Sequence, residues 1–296
     1  MGAVVAERIE REYLGLSAAG FHRVAYGEWL PTGEGAADLP PVVCVHGLTR
    51  NSGDFDDLAA ALAARRGRRV ICPDVVGRGR SDWLPSPALY GYPQYLADAA
   101  ALLARVDAPQ VDWVGTSMGG LIGMLLAAQP GSPIRRLVMN DVGPLVPKAG
   151  LERIAAYVGK DPVFEDIAAV EAYLRYVLSG FGAVSDAGWR RLAGYSARPR
   201  ADGGFGLAYD PGIAAAFSAA PISDVDLWAL WDKVNCPVLA IRGENSDILS
   251  ADTADAMTRR GPRAHVVEIP AAGHAPSLMN DDQIALVERF LSVETV

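Results

Sequence analysis

Serine 117 stands in "WVGTSMGGLIGM", residues 113–124, where Gly115-Thr116-Ser117-Met118-Gly119 spells G-x-S-x-G between an apolar run and a helical pattern. A strand that turns sharply into a helix at a serine holds its hydroxyl above the carboxyl end of a sheet, with small neighbours letting strand and helix approach. A hydroxyl is a weak nucleophile by itself, so the chemistry also needs a base and an acid that orients it, in the chain order serine, acid, histidine. Four histidines are present, and His274, in "AAGHAPSL", is the one placed in a loop after the last strand pattern and before the last helix pattern. His265 falls within a strand pattern, His22 near the first one, and His46 before the glycine that ends "PVVCVHG". Asp247, in the polar turn of "RGENSDIL", is the expected acid. Asp141, in "MNDVG", and Glu244 are its competitors. A tetrahedral intermediate needs backbone donors as well, expected from the N–H of Met118, just past the nucleophile, and of Leu48, in the loop after "PVVCVHG".

The elements that must position these groups alternate from residue 41 onward. "PVVCVHG" is followed by the helical "SGDFDDLAAALAARRG", "RRVICPDVV" by "PQYLADAAALLARV", "QVDWVG" by "SMGGLIGMLLAAQ", and then comes "RRLVMNDVG". Such alternation predicts right-handed βαβ units and a mostly parallel sheet covered on both faces, the α/β class. It stops after "NDVGP" and resumes at "CPVLAIRGE", so residues 1–144 and 234–296 read as one α/β core. Residues 145–233, read as helices and turns, form an insert after the sixth strand. The opening "FHRVAYGEWLP", with the turn-rich "TGEGAADLP", reads as an antiparallel strand or hairpin leading in. Ser52 is the expected cap of the helix that follows the Leu48 loop.

Composition narrows the function classes. Half of the 296 residues are hydrophobic and 21% charged, which suits a folded domain with a large core. The formal charge of −8, from 27 Lys and Arg against 35 Asp and Glu, argues against a nucleic-acid partner. The one basic cluster, Arg65, Arg66, Arg68 and Arg69, sits where a helix should end and complements its dipole. Cys44, Cys72 and Cys236 give no disulfide framework and read as free thiols. The acidic, interrupted start argues against a signal peptide, and no apolar run nears the ~20 residues of a membrane span, so a cytoplasmic protein without a membrane partner is expected. No His/Cys/Asp cluster has metal-ligand spacing, and "VVGRGRSD" lacks the spacing of a phosphate loop, so neither metal nor cofactor is expected.

Taken together, "VVCVHGL", "PDVVGRGRSDW", "GTSMGG", "RGENSD" and "AGHAP" make the chain resemble α/β-hydrolase-fold enzymes with a helical cap, over nearly all of its length from about residue 20. The resemblance implies a cofactor-free Ser-His-Asp hydrolase with residues 145–233 as its cap. It also implies that "DVVGRGRSD" is a structural loop beside the site, in which Asp74, Gly77 and Gly79 serve the turn and Trp83 is a candidate pocket residue. The reaction expected is hydrolysis of small carboxylic esters with short to medium apolar acyl chains, walled by some of the ten aromatics between Tyr157 and Phe217. Cleavage of a carbon–carbon bond or a lactone is the rival reaction, and a ligand-binding protein on the same fold is the rival class.

Overall fold

The computed structural model describes residues 5–32, 39–218 and 220–292. Strands β1 (Val5–Ser17) and β2 (Gly20–Thr32) form an antiparallel hairpin with Ser17 opposite Gly20. The sequence reading expected β2 and missed β1, whose alternating charges disguise it. Those charges lie at the sheet edge, where Arg11 pairs with Glu28 of β2, so cross-strand pairing decides the conformation. Of the turn-rich stretch after β2, residues 33–38 lie outside the described residues.

The alternation that follows has the expected order: β3 (Val42–Val45), α1 (Asp56–Arg66), β4 (Val70–Pro73), α2 (Tyr92–Val106), β5 (Val111–Thr116), α3 (Met118–Ala127) and β6 (Ile134–Asn140). Between β6 and the next core strand come β7 (Leu145–Val146), α4 (Lys148–Ala155), α5 (Ile167–Val177), α6 (Asp186–Ser196), β8 (Ala197–Pro199), β9 (Phe205–Leu207), α7 (Ala215–Ser218), β10 (Val225–Asp226) and α8 (Trp228–Trp231). The chain closes with β11 (Val238–Gly243), α9 (Ala251–Met257), β12 (His265–Ile269) and α10 (Asp281–Ser292).

Eight strands make one sheet in the order β1-β2-β4-β3-β5-β6-β11-β12. The first two pairings are antiparallel and every pairing from β4 onward is parallel. The period of two along a strand splits the core between the two faces. Val43, Val45 and Trp113 pack with Leu102, Ile122 and Met124 under α2 and α3. Val42, Cys44 and Val114 pack on the other face with Leu58, Leu62 and Val287 under α1 and α10.

Residues 145–233 hold helices, as expected, and also two small antiparallel sheets that were not: β7 with β10, and β8 with β9. Strands of two or three residues are too short to show a period, and tertiary contact alone makes them. Polar contacts fix this segment to the core. Arg50 Nη1 donates to Ser196 Oγ at 2.8 Å, Asn51 Nδ2 to Tyr195 O at 3.0 Å, and the Gly273 N–H to Gly180 O at 2.8 Å.

Two local expectations change. Asn51, not Ser52, caps the short helical turn at Ser52–Phe55, with its Oδ1 accepting from the Gly53 N–H at 3.1 Å. The Ser52 N–H goes instead to buried Asp74, which also accepts from the Arg80 N–H, while Gly77 and Gly79 take the positive φ that the turn requires. In the basic cluster, Arg65 and Arg66 do close α1. Arg68 and Arg69 lie beyond it and engage Asp112 and Glu28, each at 2.6 Å.

Candidate active site

Ser117 occupies the turn from β5 into α3 with φ of 52° and ψ of −115°. Its neighbours are glycine for steric reasons. A Cβ on Gly115 would come within 2.2 Å of the Gly119 backbone, and one on Gly119 within 2.0 Å of Val45 O. Close packing of β3, β5 and α3 therefore drives the strained serine conformation. The Ser117 N–H donates to Asn140 O at 2.9 Å, tying the turn to β6.

His274, between β12 and α10, brings Nε2 to 2.9 Å from Ser117 Oγ. Its Nδ1 lies 2.8 Å from Oδ2 of Asp141. The fully buried Asp141 carboxylate is held on both oxygens: Oδ1 accepts from the Gly243 N–H at 2.7 Å, and Oδ2 accepts from Ser246 Oγ at 2.6 Å. An ionised carboxylate so placed accepts the Nδ1 proton and leaves Nε2 free to take one from Ser117.

Asp247, the acid expected from the sequence, is not the one on His274. Its side chain is 42% exposed and is gripped by both arms of Arg153 from α4, with Nη2 to Oδ1 at 2.9 Å. Burial pushes its carboxyl up, but the hydrogen bond and charge of Arg153 prevail and hold it below its usual value. The register explains the exchange. Thr116 lies opposite Asn140 and Asn140 opposite Ile241, so the residues just past β5 and β6, Ser117 and Asp141, are neighbours at one sheet end. Asp247 leaves from β11, one strand further away. Glu244 is engaged elsewhere, accepting from the Ala271 N–H.

The Leu48 loop lies against the serine, since a Cβ on Gly47 would stand 3.8 Å from Ser117 Cβ. Among the described residues, the Leu48 N–H makes no hydrogen bond. Met118 begins α3, so its N–H is one of the first-turn donors without an intrahelical acceptor. His46 braces this loop: Nδ1 donates to Gly47 O at 2.7 Å and Nε2 accepts from the Val75 N–H at 2.9 Å. Burial holds its pKa down at about 3, so the imidazole is neutral.

Comparison with known proteins agrees with this frame. The pattern of the alpha/beta hydrolase family matches residues 42–288. The chain belongs to the alpha/beta hydrolase family. A 3-hydroxybutyrate-oligomer hydrolase of Cupriavidus necator is 42% identical over 94% of this chain and 95% of its own length. A 2-(acetamidomethylene)succinate hydrolase of Mesorhizobium japonicum is 30% identical over 79% of this chain and 81% of its own. Among solved structures, an alpha/beta hydrolase from Novosphingobium aromaticivorans superposes with a TM-score of 0.83 at 39% identity, covering 96% of this chain and 98% of that one.

In this alpha/beta hydrolase a cavity of about 20 Å³ opens one residue beyond Leu48, between the core and the insert. Thr49, Arg50 and Asn51 line one side, and Tyr157, Tyr173 and Tyr209 the other. Trp83 is not among the lining residues. It is 41% exposed and its indole lies beneath the Arg198 guanidinium, 4.9 Å from the ring centre, so the expectation of a pocket residue gives way to a surface stack. Ser246, which clamps Asp141, and Arg50 were not singled out from the sequence. A serine in a turn and an arginine in a loop have ordinary surface explanations until their partners are known. Among the described residues, no group of three or more His, Cys, Asp or Glu is placed to hold a metal ion, and no helix is long and apolar enough to cross a membrane.

Proposed function

We propose that this protein is a serine hydrolase of carboxylic esters, with short oligoesters of a hydroxy acid as its substrate class. The continuous contact from Ser117 Oγ through His274 to Asp141 carries the reading. In this scheme Ser117 attacks the ester carbonyl as His274 takes its proton, and Asp141 stabilises the imidazolium. The Leu48 and Met118 N–H groups bind the oxyanion. His274 then returns the proton to the departing alcohol, and water releases the acyl group by the same route. Asp141 replaces Asp247 in the acid role, and residues 145–233 act as the cap.

The substrate class draws on two observations. The relative that is 42% identical is a hydrolase of 3-hydroxybutyrate oligomers, and such acids joined head to tail are esters. The cavity beyond Leu48, which Ser117 and His274 do not themselves line, mixes polar groups (Thr49, Asn51, Ser196) with tyrosine rings and the aliphatic Leu174, Val177, Leu178 and Leu207, a lining compatible with a short acyl chain that carries ester oxygens. Arg50, beside the cavity, and Arg153 are already engaged by Asp54 and Asp247, so neither is open to the free carboxylate of a substrate.

Steady-state kinetics on 3-hydroxybutyrate dimer and trimer, beside p-nitrophenyl esters from acetate to palmitate, tests the proposal. Multiple turnovers on the oligomers and short esters, absent in Ser117→Ala, are expected. Folded wild-type protein with no turnover on any ester overturns the reading.

A further inference from the structure

The structure assigns Arg78, in the loop between β4 and α2, the task of holding the two halves of the oxyanion hole in register, and this inference rests on the esterase reading above. Its guanidinium is wholly buried and reaches both donor residues: Nε donates to Leu48 O at 2.9 Å, and Nη2 lies 3.7 Å from Met118 Sδ. The remaining arm, Nη1, donates to Val76 O at 2.8 Å and to the Tyr95 hydroxyl at 3.0 Å. The Tyr90 and Tyr95 rings flank the cation at 5.8 and 5.0 Å.

Two features separate this arrangement from a structural arginine. Among the described residues its partners are all neutral, with no carboxylate within salt-bridge distance, although a buried cation without an anion is costly. A site that develops negative charge next to Leu48 and Met118 during turnover gives that cation an interaction the resting protein lacks. The planar fork also spans two segments, bonding the backbone of the loop after β3 at Leu48 O and contacting the side chain of the first residue of α3 at Met118 Sδ. The insert sets the fork in place. The Gly79 N–H donates to Ala208 O and the Asp210 N–H to Gly77 O, each at 2.7 Å, so the turn carrying Arg78 is paired with the segment around Tyr209. Arg78 is thus a positioning residue that acts through Leu48 and Met118 and does not touch substrate.

The test compares Arg78→Met, Arg78→Lys, Ser117→Ala and wild type on p-nitrophenyl butyrate. Inhibition by a short alkyl trifluoromethyl ketone is measured in parallel. Addition of Ser117 Oγ to that ketone, with its proton passing to His274, leaves a tetrahedral oxyanion in the same hole. For folded variants we expect kcat to fall about 10²-fold in Arg78→Met and at least about tenfold in Arg78→Lys. KM should stay within about threefold, the acid limb of the pH profile should keep its midpoint, and the ketone inhibition constant should rise in parallel with the loss of kcat. A folded variant with kcat within about threefold of wild type, or one that loses kcat with unchanged ketone affinity, overturns the assignment. Should Arg78→Met fail to fold, Arg78→Lys decides by the same criteria. Turnover that survives in Ser117→Ala instead overturns the esterase reading itself, and this inference with it.

Discussion

His274 Nδ1 stands 2.8 Å from Asp141 Oδ2, although 133 positions separate the two residues in the chain. The contact exists because β6 lies between β5 and β11, so an acid at the end of β6 arrives beside a serine at the end of β5. In the proposed mechanism, a carboxylate here fixes the imidazole tautomer that activates Ser117.

That contact separates two acids by mutation. Asp141→Asn is expected to lower kcat on the order of 10²- to 10⁴-fold with the fold retained. Asp247→Asn removes a half-exposed ion pair with Arg153 and should cost no more than about 1 kcal/mol, with kcat within about twofold. Steady-state rates and urea midpoints for both variants decide the matter. A larger kcat loss in Asp247→Asn would restore the other acid.

Removal of the proposed nucleophile, Ser117, is expected to abolish turnover and spare the structure. Ser117 has a positive φ of 52°, so Ser117→Ala keeps the Cβ strain and removes only the hydroxyl, whereas Ser117→Gly should raise stability slightly by relieving the strain. Both variants should show kcat reduced by about 10⁴-fold or more, read by ester hydrolysis and thermal melts.

Gly180, in the turn after α5, backs directly onto the base. A Cβ there would lie 2.9 Å from both the backbone N and O of His274, so Gly180→Ala must push the histidine loop. The expected result is a fall in kcat of about tenfold or more with the Ser117→Ala background unaffected in stability beyond the same substitution's own cost. Unchanged kcat in a folded Gly180→Ala protein shows that the insert does not set the position of His274.

Acid should destabilise the fold through His46 before it reaches the carboxylates. The folded pKa is held at about 3 by burial, against ~6.5 for an unfolded imidazole, so between these values the unfolded state binds the extra proton. Stability from this group is complete above ~6.5 and falls as pH drops, by about 2 kcal/mol at pH 5. Urea midpoints measured from pH 7.5 to 5 should show that loss, and His46→Gln should flatten it.

The sequence by itself determined the class of fold and two of the three groups in the proposed relay. Apolar runs of four to seven residues alternating with helical periods leave few arrangements other than a parallel sheet with helices on both faces. A serine hemmed by Gly115 and Gly119 at a strand-to-helix turn is a local pattern, because the steric reason lies in the same few residues. His274 was legible for a similar reason, as the one histidine in a loop at the correct end of the chain order. The acid was not legible, because Asp141 and Asp247 both follow strands and both precede His274. Only strand order, with β6 next to β5, chooses between them. The pairing of β1, the small strands in 145–233 and the reach of Arg78 to Leu48 and Met118 likewise depend on partners distant in sequence. Local residue types carry propensity and sterics, but which groups share a site is settled by long-range packing.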